Sequence, residues 1–198
     1  MTPVPKFGDT VEKAHRRIDS TAYEKIYVVG DVHGSRAALE SLLSALELGD
    51  DDVVVFVGDL VRKGPDSPGV IDIVRSDDRL LSVRGNNEAK LLRGDKDPDW
   101  LRDGDVAYLA SLPMVISFDD AGYDGPFWYE DYDGPYRVFF GHTVHECPVE
   151  YEHAVGLDTG CVYGGTLTAY DYRRGAFITV DPTATHQDRS SEKIAAVP

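Results

Sequence analysis

Three short apolar runs in the first half of the chain each lead to a glycine followed by a side chain that can bind metal. They cover residues 26–29, 53–57 and 80–83, and they lead to Gly30-Asp31, Gly58-Asp59 and Gly85-Asn86. β-Branched runs of this length, bounded by glycine, are typical of buried strands. Leucines at helical spacing over residues 39–46 predict a helix between the first two strands, with Ser35 as its N-cap. Alternating strands and helices predict right-handed crossovers and a largely parallel sheet.

Ligands of such sheets bind at the carboxyl ends of the strands, where all three of these polar residues lie. Asp31 and His33 are two residues apart, so they point to the same side if the strand geometry continues. A carboxylate and an imidazole together suit a divalent metal. The recurrence therefore predicts a shared metal or phosphate site at one edge of the sheet.

The rest of the chain predicts one domain over residues 25–181, with a second half rich in strands. Residues 1–24 are expected to form a lead-in with a short helix around 11–18. A loop near the site is expected over 119–135, and a disordered polar tail over 182–198. Strands are predicted over 114–118, 136–140, 154–157, 165–172 and 176–180.

The amino-acid composition narrows the range of possible functions and cellular locations. The formal charge of −15 argues against general nucleic-acid binding, which requires clustered lysine and arginine. We expect no membrane association, because no apolar run approaches the length of a membrane span. Two cysteines are too few for a disulfide framework and favour the reducing cytoplasm. The 25 aspartates against seven lysines suggest a high-salt source, where self-repulsion is screened.

Two further strand ends, Gly141-His142 and Gly156–Gly160, complete a series of five motifs. In order they read GDVHG from Gly30, GDLVRKGPDS from Gly58, RGNNE from Arg84, FGHT from Phe140 and LDTGCVYGGTLTA from Leu157. This series resembles the calcineurin-like metallophosphoesterases over about residues 25–172. It is most similar to the branch of bacterial Ser/Thr protein phosphatases and symmetrical diadenosine-tetraphosphate hydrolases. The implied fold is α/β, with two mixed β-sheets in a sandwich flanked by helices.

The resemblance also implies the ligands of two divalent metal ions. Asp31 and His33 would bind one metal, Asp59 would bridge both, and Asn86 and His142 would bind the second. Mn²⁺ is favoured, while Fe, Zn²⁺ and Co²⁺ also suit this mixture of oxygen and nitrogen donors. A metal-bound hydroxide would attack a phosphate ester or phosphoanhydride in line.

The sequence departs from the family pattern at the acid that protonates the leaving group. Members of the family use an Asp–His pair, whereas this chain has Arg62 and Asn87 at those positions, and Lys63 in place of an arginine. The chain also has no histidine between His33 and His142, so one expected ligand of the second metal is missing. General acid catalysis contributes about 10²–10⁴-fold, and poor leaving groups need it most. Nucleotide or dinucleotide polyphosphates are therefore expected as substrates in preference to phosphoserine.

We assign catalytic roles to Lys63, Arg62 and Asn87. Arg62, Lys63 and Arg84 are expected to bind the substrate phosphate. Asp158 is expected to orient a metal ligand, with a structural role in the turn as the alternative.

Two other functions remain open: a Ser/Thr phosphoprotein phosphatase, and a family member that binds metal or nucleotide with little turnover. The expected partner is a phosphorylated small molecule, with no obligate protein partner. Trp100 is predicted to pack in the core or to stack on a nucleobase. His145 and His153 are expected to be solvated loop residues, with replacement ligands as the alternative.

Overall fold

The computed structural model describes residues 14–118 and 137–188. Within these residues, no helix is both long and apolar enough to cross a lipid bilayer. The strands are β1 (His15–Ile18), β2 (Lys25–Val29), β3 (Asp52–Phe56), β4 (Leu80–Ser82), β5 (Val115–Phe118), β6 (Val138–Phe140), β7 (Val149–Glu150), β8 (Ala154–Gly156), β9 (Leu167–Asp171) and β10 (Ala176–Val180). The α-helices are α1 (Arg36–Leu46), α2 (Ser67–Ser76), α3 (Asn86–Leu92) and α4 (Asp103–Ser111).

The central sheet has five strands in the order β10-β9-β2-β3-β4. Strands β2, β3 and β4 are parallel, while β9 is antiparallel to both β2 and β10. The predicted parallel half is confirmed, and each predicted strand end lies within one residue of the observed one. Alternation explains the two faces of the sheet, because successive residues of β3 point to opposite sides.

The helices cover one face of this sheet. Val54 and Phe56 of β3 pack there in a core with Leu39 and Leu42 of α1 and with apolar residues of the other three helices. This burial explains why the periodic leucine pattern forms a helix, since a helix of this length is marginal without tertiary packing. Ser35 is the N-cap residue of α1, as predicted, although its side chain makes no capping hydrogen bond.

Two smaller sheets cover the opposite face. The three-stranded sheet β6-β8-β7 is mixed, and Val155 of β8 packs against Val28 and Tyr170 of the central sheet. The parallel pair β1-β5 packs beside it, with Ile18 and Phe118 against the central sheet. The predicted α/β sandwich of two mixed sheets flanked by helices is therefore confirmed, with the pair β1-β5 in addition.

The helix predicted around residues 11–18 is wrong for the described part, because residues 15–18 form strand β1. Arg16 pairs with Ile116 and Ile18 with Phe118 in parallel register. Only Ile18 of this strand is buried, so the strand depends on its pairing with β5 rather than on an apolar pattern. The short strand β7 was not predicted. The predictions for residues 1–13, 119–136 and 189–198 lie outside the described residues.

Candidate metal centre

Three of the five predicted metal ligands meet at the carboxyl ends of β2 and β3. Potential ligand atoms of Asp31, His33 and Asp59 all lie within 4.8 Å of one another, and the three residues are buried. His33 Nε2 is 3.5 Å from Asp31 Oδ2 and 3.8 Å from Asp59 Oδ2. We call these three residues the carboxylate–imidazole group.

Left-handed backbone, rather than continued strand geometry, brings the group together. Strand β2 ends at Val29, and His33 and Asp59 have φ angles of 49° and 50°. The two loops are joined by backbone hydrogen bonds, since His33 N donates to Asp59 O at 2.8 Å and Gly34 N donates to Leu60 O at 2.7 Å. The expected same-side orientation of Asp31 and His33 therefore has a different cause from the alternation of a strand.

The imidazole of His33 is in the state that a metal ligand needs. Its Nδ1 lies 3.3 Å from the Val61 carbonyl, which places the proton on Nδ1 and leaves Nε2 as an acceptor facing the carboxylates. Burial, aided by the Lys63 ammonium, lowers the pKa of His33 to about 4, so the ring is neutral near pH 7. Lys63 Nζ lies 2.7 Å from Nε2, in position to donate to it.

A bound cation would stabilise the buried carboxylates of the site. Burial and the neighbouring carboxylates of Asp158 and Asp59 raise the pKa of Asp31 well above its usual range. Burial and the charge of Asp59 raise the pKa of Glu88 to about 7. Buried like charges are costly unless they are paired or coordinate a metal. The donor set and its unfavourable charge therefore fit a divalent cation.

The other two predicted ligands are outside this group, and the backbone at His142 and next to Asn86 contacts it. Asn86 is the first residue of α3, and the next residue, Asn87, donates its backbone N–H to Asp59 Oδ1 at 2.8 Å. His142 is exposed and has a φ angle of 69°, and its backbone N–H lies 3.3 and 3.2 Å from the two oxygens of Asp31. Its ring, although among the described residues, does not belong to the carboxylate–imidazole group.

The two residues that replace the family's Asp–His pair are in contact with each other. Arg62 Nη1 donates to Asn87 Oδ1 at 2.7 Å. The Asn87 amide in turn donates to Asp59 Oδ2. A continuous chain of hydrogen bonds therefore joins Arg62, Asn87 and Asp59. The two replacements keep a pair of hydrogen-bonded side chains, but neither of them is a titratable acid.

The remaining predicted site residues are Lys63, Asp158 and Arg84, and each of them has a different set of contacts. Lys63 lies beside His33 and over the Tyr163 ring, 5.2 Å from its centroid. Asp158 is buried, and its Oδ1 accepts a hydrogen bond from Gly160 N at 3.1 Å. The guanidinium of Arg84 instead donates to two carbonyls at the end of α4, those of Ala110 and Leu112, at 2.6 and 3.1 Å.

Glu88 supports the site, and sequence reasoning missed it. Its carboxylate accepts hydrogen bonds from the backbone N–H groups of Asp59, Val61 and Gly85, at 3.0, 3.2 and 2.8 Å. A glutamate three residues after a helix N-cap is a known signal of this kind, because it returns to bond the N-cap backbone. The buried His145, whose ring centroid lies 6.3 Å from that of Phe140, also differs from the expected solvated residue.

A helix-covered α/β sandwich with carboxylates and an imidazole at its strand ends defines a class of metal-binding enzyme folds. The family model for calcineurin-like phosphoesterases matches residues 24–188. The chain belongs to that family, and the predicted metal-dependent phosphoesterase is confirmed at this level.

Curated relatives and a solved structure agree with the family. The chain is 33% identical to Serine/threonine-protein phosphatase 1 of Salmonella typhimurium, over 79% of this chain and 96% of the relative. It is 25% identical to the asymmetrical bis(5'-nucleosyl)-tetraphosphatase PrpE of Oceanobacillus iheyensis, over 85% of this chain and 96% of the relative. A crystal structure of a candidate diadenosine tetraphosphatase superposes with a TM-score of 0.72 and 30% identity, covering 84% of this chain and 97% of that one.

Proposed function

We propose that this protein hydrolyses phosphoanhydrides of the nucleotide or dinucleotide polyphosphate class. The observation that carries the proposal is the hydrogen-bonded chain from Arg62 through Asn87 to Asp59. A guanidinium remains protonated at any working pH, and a side-chain amide is not acidic, so neither group can protonate a leaving group. A phosphate leaving from an anhydride is already a stable anion, so its departure needs no such proton.

We also propose that the site holds two divalent ions, with Mn²⁺ favoured over Fe, Zn²⁺ and Co²⁺. Asp31, His33 and Asp59 would hold the first ion, and Asp59, Asn86 and His142 the second. Such ions supply Lewis-acid stabilisation of phosphoryl oxygens and acidify water. The support is the neutral His33 ring facing buried carboxylates, together with the backbone N–H contacts of Asn87, next to Asn86, with Asp59 and of His142 with Asp31.

The charged side chains around the group act on the substrate. Lys63 and Arg62 stabilise the negative charge that develops on the transferring phosphoryl group, and Asn87 positions the Arg62 guanidinium. Asp158 stays a predicted orienting residue, and its carboxylate, which raises the pKa of Asp31, adds to the negative charge that a bound cation would offset. Arg84 stays a predicted substrate contact that would have to leave the carbonyls of Ala110 and Leu112.

The two free cysteines suit a cytoplasmic location, which is part of the proposal.

A substrate comparison tests the proposal. With Mn²⁺, the protein should hydrolyse diadenosine tetraphosphate and 4-nitrophenyl phosphate much faster than a phosphoserine peptide. The double variant Arg62→Asp/Asn87→His restores a titratable pair, so it should raise the phosphoserine rate relative to the anhydride rate by about 10²-fold. Arg93→Asp makes the same charge change at an exposed position in a different contact and should leave that ratio unchanged.

The same comparison decides between the alternatives. A Ser/Thr phosphoprotein phosphatase is the second candidate, supported by the Salmonella relative. It predicts that the unaltered protein prefers the phosphoserine peptide. Failure to hydrolyse any of the three substrates, with any of the four metals, would contradict the proposed activity and favour binding without turnover.

A further inference from the structure

A cavity of about 280 Å³ lies beside the carboxylate–imidazole group. Its walls are residues 62–64, from the loop after β3, and Lys96, Asp97, Pro98 and Trp100, from the segment between α3 and α4. Lys63 belongs to both places, since it lines the cavity while its Nζ lies 2.7 Å from His33 Nε2. The cavity, which we call the Lys96 cavity, is therefore connected to the carboxylate–imidazole group through the side chain of Lys63.

The charge of the Lys96 cavity is opposite to that of the chain. Arg62, Lys63 and Lys96 face a single carboxylate, Asp97, in a protein whose formal charge is −15. Two of the chain's seven lysines line this one cavity. The field of the molecule repels anions elsewhere, so a cationic cleft concentrates them here.

Trp100 gives the cavity an aromatic wall. The indole is half-buried and packs against the core beneath the helices, and it also lines the cavity. A ring held in place by the core stacks on a planar group with little loss of conformational freedom. Both predicted uses of Trp100, core packing and contact with a base, are compatible with this position.

We propose that the Lys96 cavity binds the leaving part of a phosphoanhydride substrate, with phosphate oxygens on Lys63 and Lys96 and a nucleobase on Trp100. The inference rests on the proposed function and adds the location of the departing group. In the hydrolysis, a water oxygen bonds to phosphorus, the water gives up one proton to the solvent, and the bridging P–O bond breaks. The departing phosphate keeps the bonding electron pair, and the cavity's cations stabilise its charge without donating a proton.

Two substrates separate this subsite from the reaction centre. Lys96→Ala should raise the KM for diadenosine tetraphosphate about tenfold and leave 4-nitrophenyl phosphate hydrolysis within twofold, since the leaving group of the small ester carries no phosphate for Lys96 to bind. The matched control is Lys90→Ala, on α3 and outside the cavity lining, which should change neither. Equal effects of the two lysine variants on diadenosine tetraphosphate would overturn the proposal.

Calorimetry with product-like ligands tests the cavity without turnover. Lys96→Ala should weaken binding of both adenosine diphosphate and pyrophosphate to the Mn²⁺-loaded protein. Trp100→Leu should weaken only adenosine diphosphate, by about tenfold, while Trp100→Phe keeps most of the affinity. Thermal unfolding of each variant separates these effects from loss of fold.

The outcomes distinguish the two proposals. Normal adenosine diphosphate affinity in both Lys96→Ala and Trp100→Leu overturns the subsite, whatever the enzyme hydrolyses. Equal weakening of adenosine diphosphate and pyrophosphate by Trp100→Leu overturns the nucleobase contact. Ligand-dependent effects as predicted, in a protein that hydrolyses neither substrate, would support the cavity and reject the proposed activity.

Discussion

Backbone strain is concentrated at individual residues of the candidate site. Six non-glycine residues in the described part of the chain have positive φ, and all but Glu47 lie at the site: His33, Asp59, Arg62, Lys63 and His142. Each such residue costs about 1–3 kcal/mol and persists only where the surroundings fix it. Backbone bonds such as Gly64 N to His33 O, at 2.7 Å, provide that fixing.

Gly141 offers a residue-scale test of the carboxylate position. A Cβ at this position would meet Asp31 Oδ1 at 2.0 Å, so Gly141→Ala must displace the carboxylate. We expect Mn²⁺ affinity, measured by titration calorimetry, to fall about 10–100-fold. The control is Gly104→Ala, where the nearest atom is Arg75 Nη1 at 3.7 Å. Equal Mn²⁺ affinities in the two alanine variants would contradict this account of Asp31.

At the scale of elements, apolar strands flanked by glycine were predictable, whereas strands held by pairing were not. Strand β3 is buried along its whole length and β2 from Ile26 to Val29, so their sequences carry the signal. Strand β1 has the pattern His15-Arg16-Arg17-Ile18, with one buried residue, and its sequence does not show its partner β5. Because β1 and β5 are about 100 residues apart in the sequence, their pairing leaves no local pattern in either strand.

Asp52, at the start of β3, is hydrogen-bonded to Lys25, at the start of β2. We expect this contact to make the stability of the fold depend on pH in the acid range. Burial alone would raise the pKa of Asp52, but hydrogen bonds from Gly49 N and Lys25 outweigh it and hold the pKa below its usual value. A depressed carboxyl pKa stabilises the fold above the unfolded value of about 3.9, and this contribution is lost as pH falls through the folded pKa.

The matching variant is Asp52→Asn. Urea unfolding at pH 7 should show a loss of about 1–3 kcal/mol relative to the unaltered protein. The difference should begin to shrink below about pH 4, where the unfolded carboxyl takes up a proton, and should be lost as the pH falls through the lower pKa of the native carboxyl. The exposed pair Arg36–Glu40 offers a control, since Glu40→Gln should change stability by less than about 1 kcal/mol. A difference that stays constant from pH 7 to pH 3 would contradict the assignment.

At the scale of the whole molecule, the sequence predicted which side chains come together at the candidate site. It did not predict the contacts that hold them in place. The strand-end motifs pointed to Asp31, His33 and Asp59, and the structure brings their side chains together. The contact of Lys63 with His33 and the three hydrogen bonds accepted by Glu88 depend on the conformations of two loops. Side-chain placement of that kind has no periodic signature in the sequence.

The net charge predicts a salt dependence of the whole fold. At −15, self-repulsion destabilises the compact state, and screening shortens from about 10 Å at 0.1 M salt to about 3 Å at 1 M. We expect the urea midpoint to rise between these NaCl concentrations. The variant Asp50→Asn/Asp51→Asn, at exposed positions, should reduce the dependence. An unchanged midpoint would contradict both the prediction and the proposed high-salt source.

Metal stoichiometry together with turnover tests the central claim most directly. Elemental analysis after gel filtration in Mn²⁺ should give two ions per chain, both for the unaltered protein and for the exposed-site control Asp103→Asn, and both should hydrolyse 4-nitrophenyl phosphate. Asp59→Asn should lose bound metal and activity together, because this carboxylate would contact both ions. One ion per chain without activity would favour the binding-only alternative, and full metal content with unchanged activity in Asp59→Asn would contradict the account.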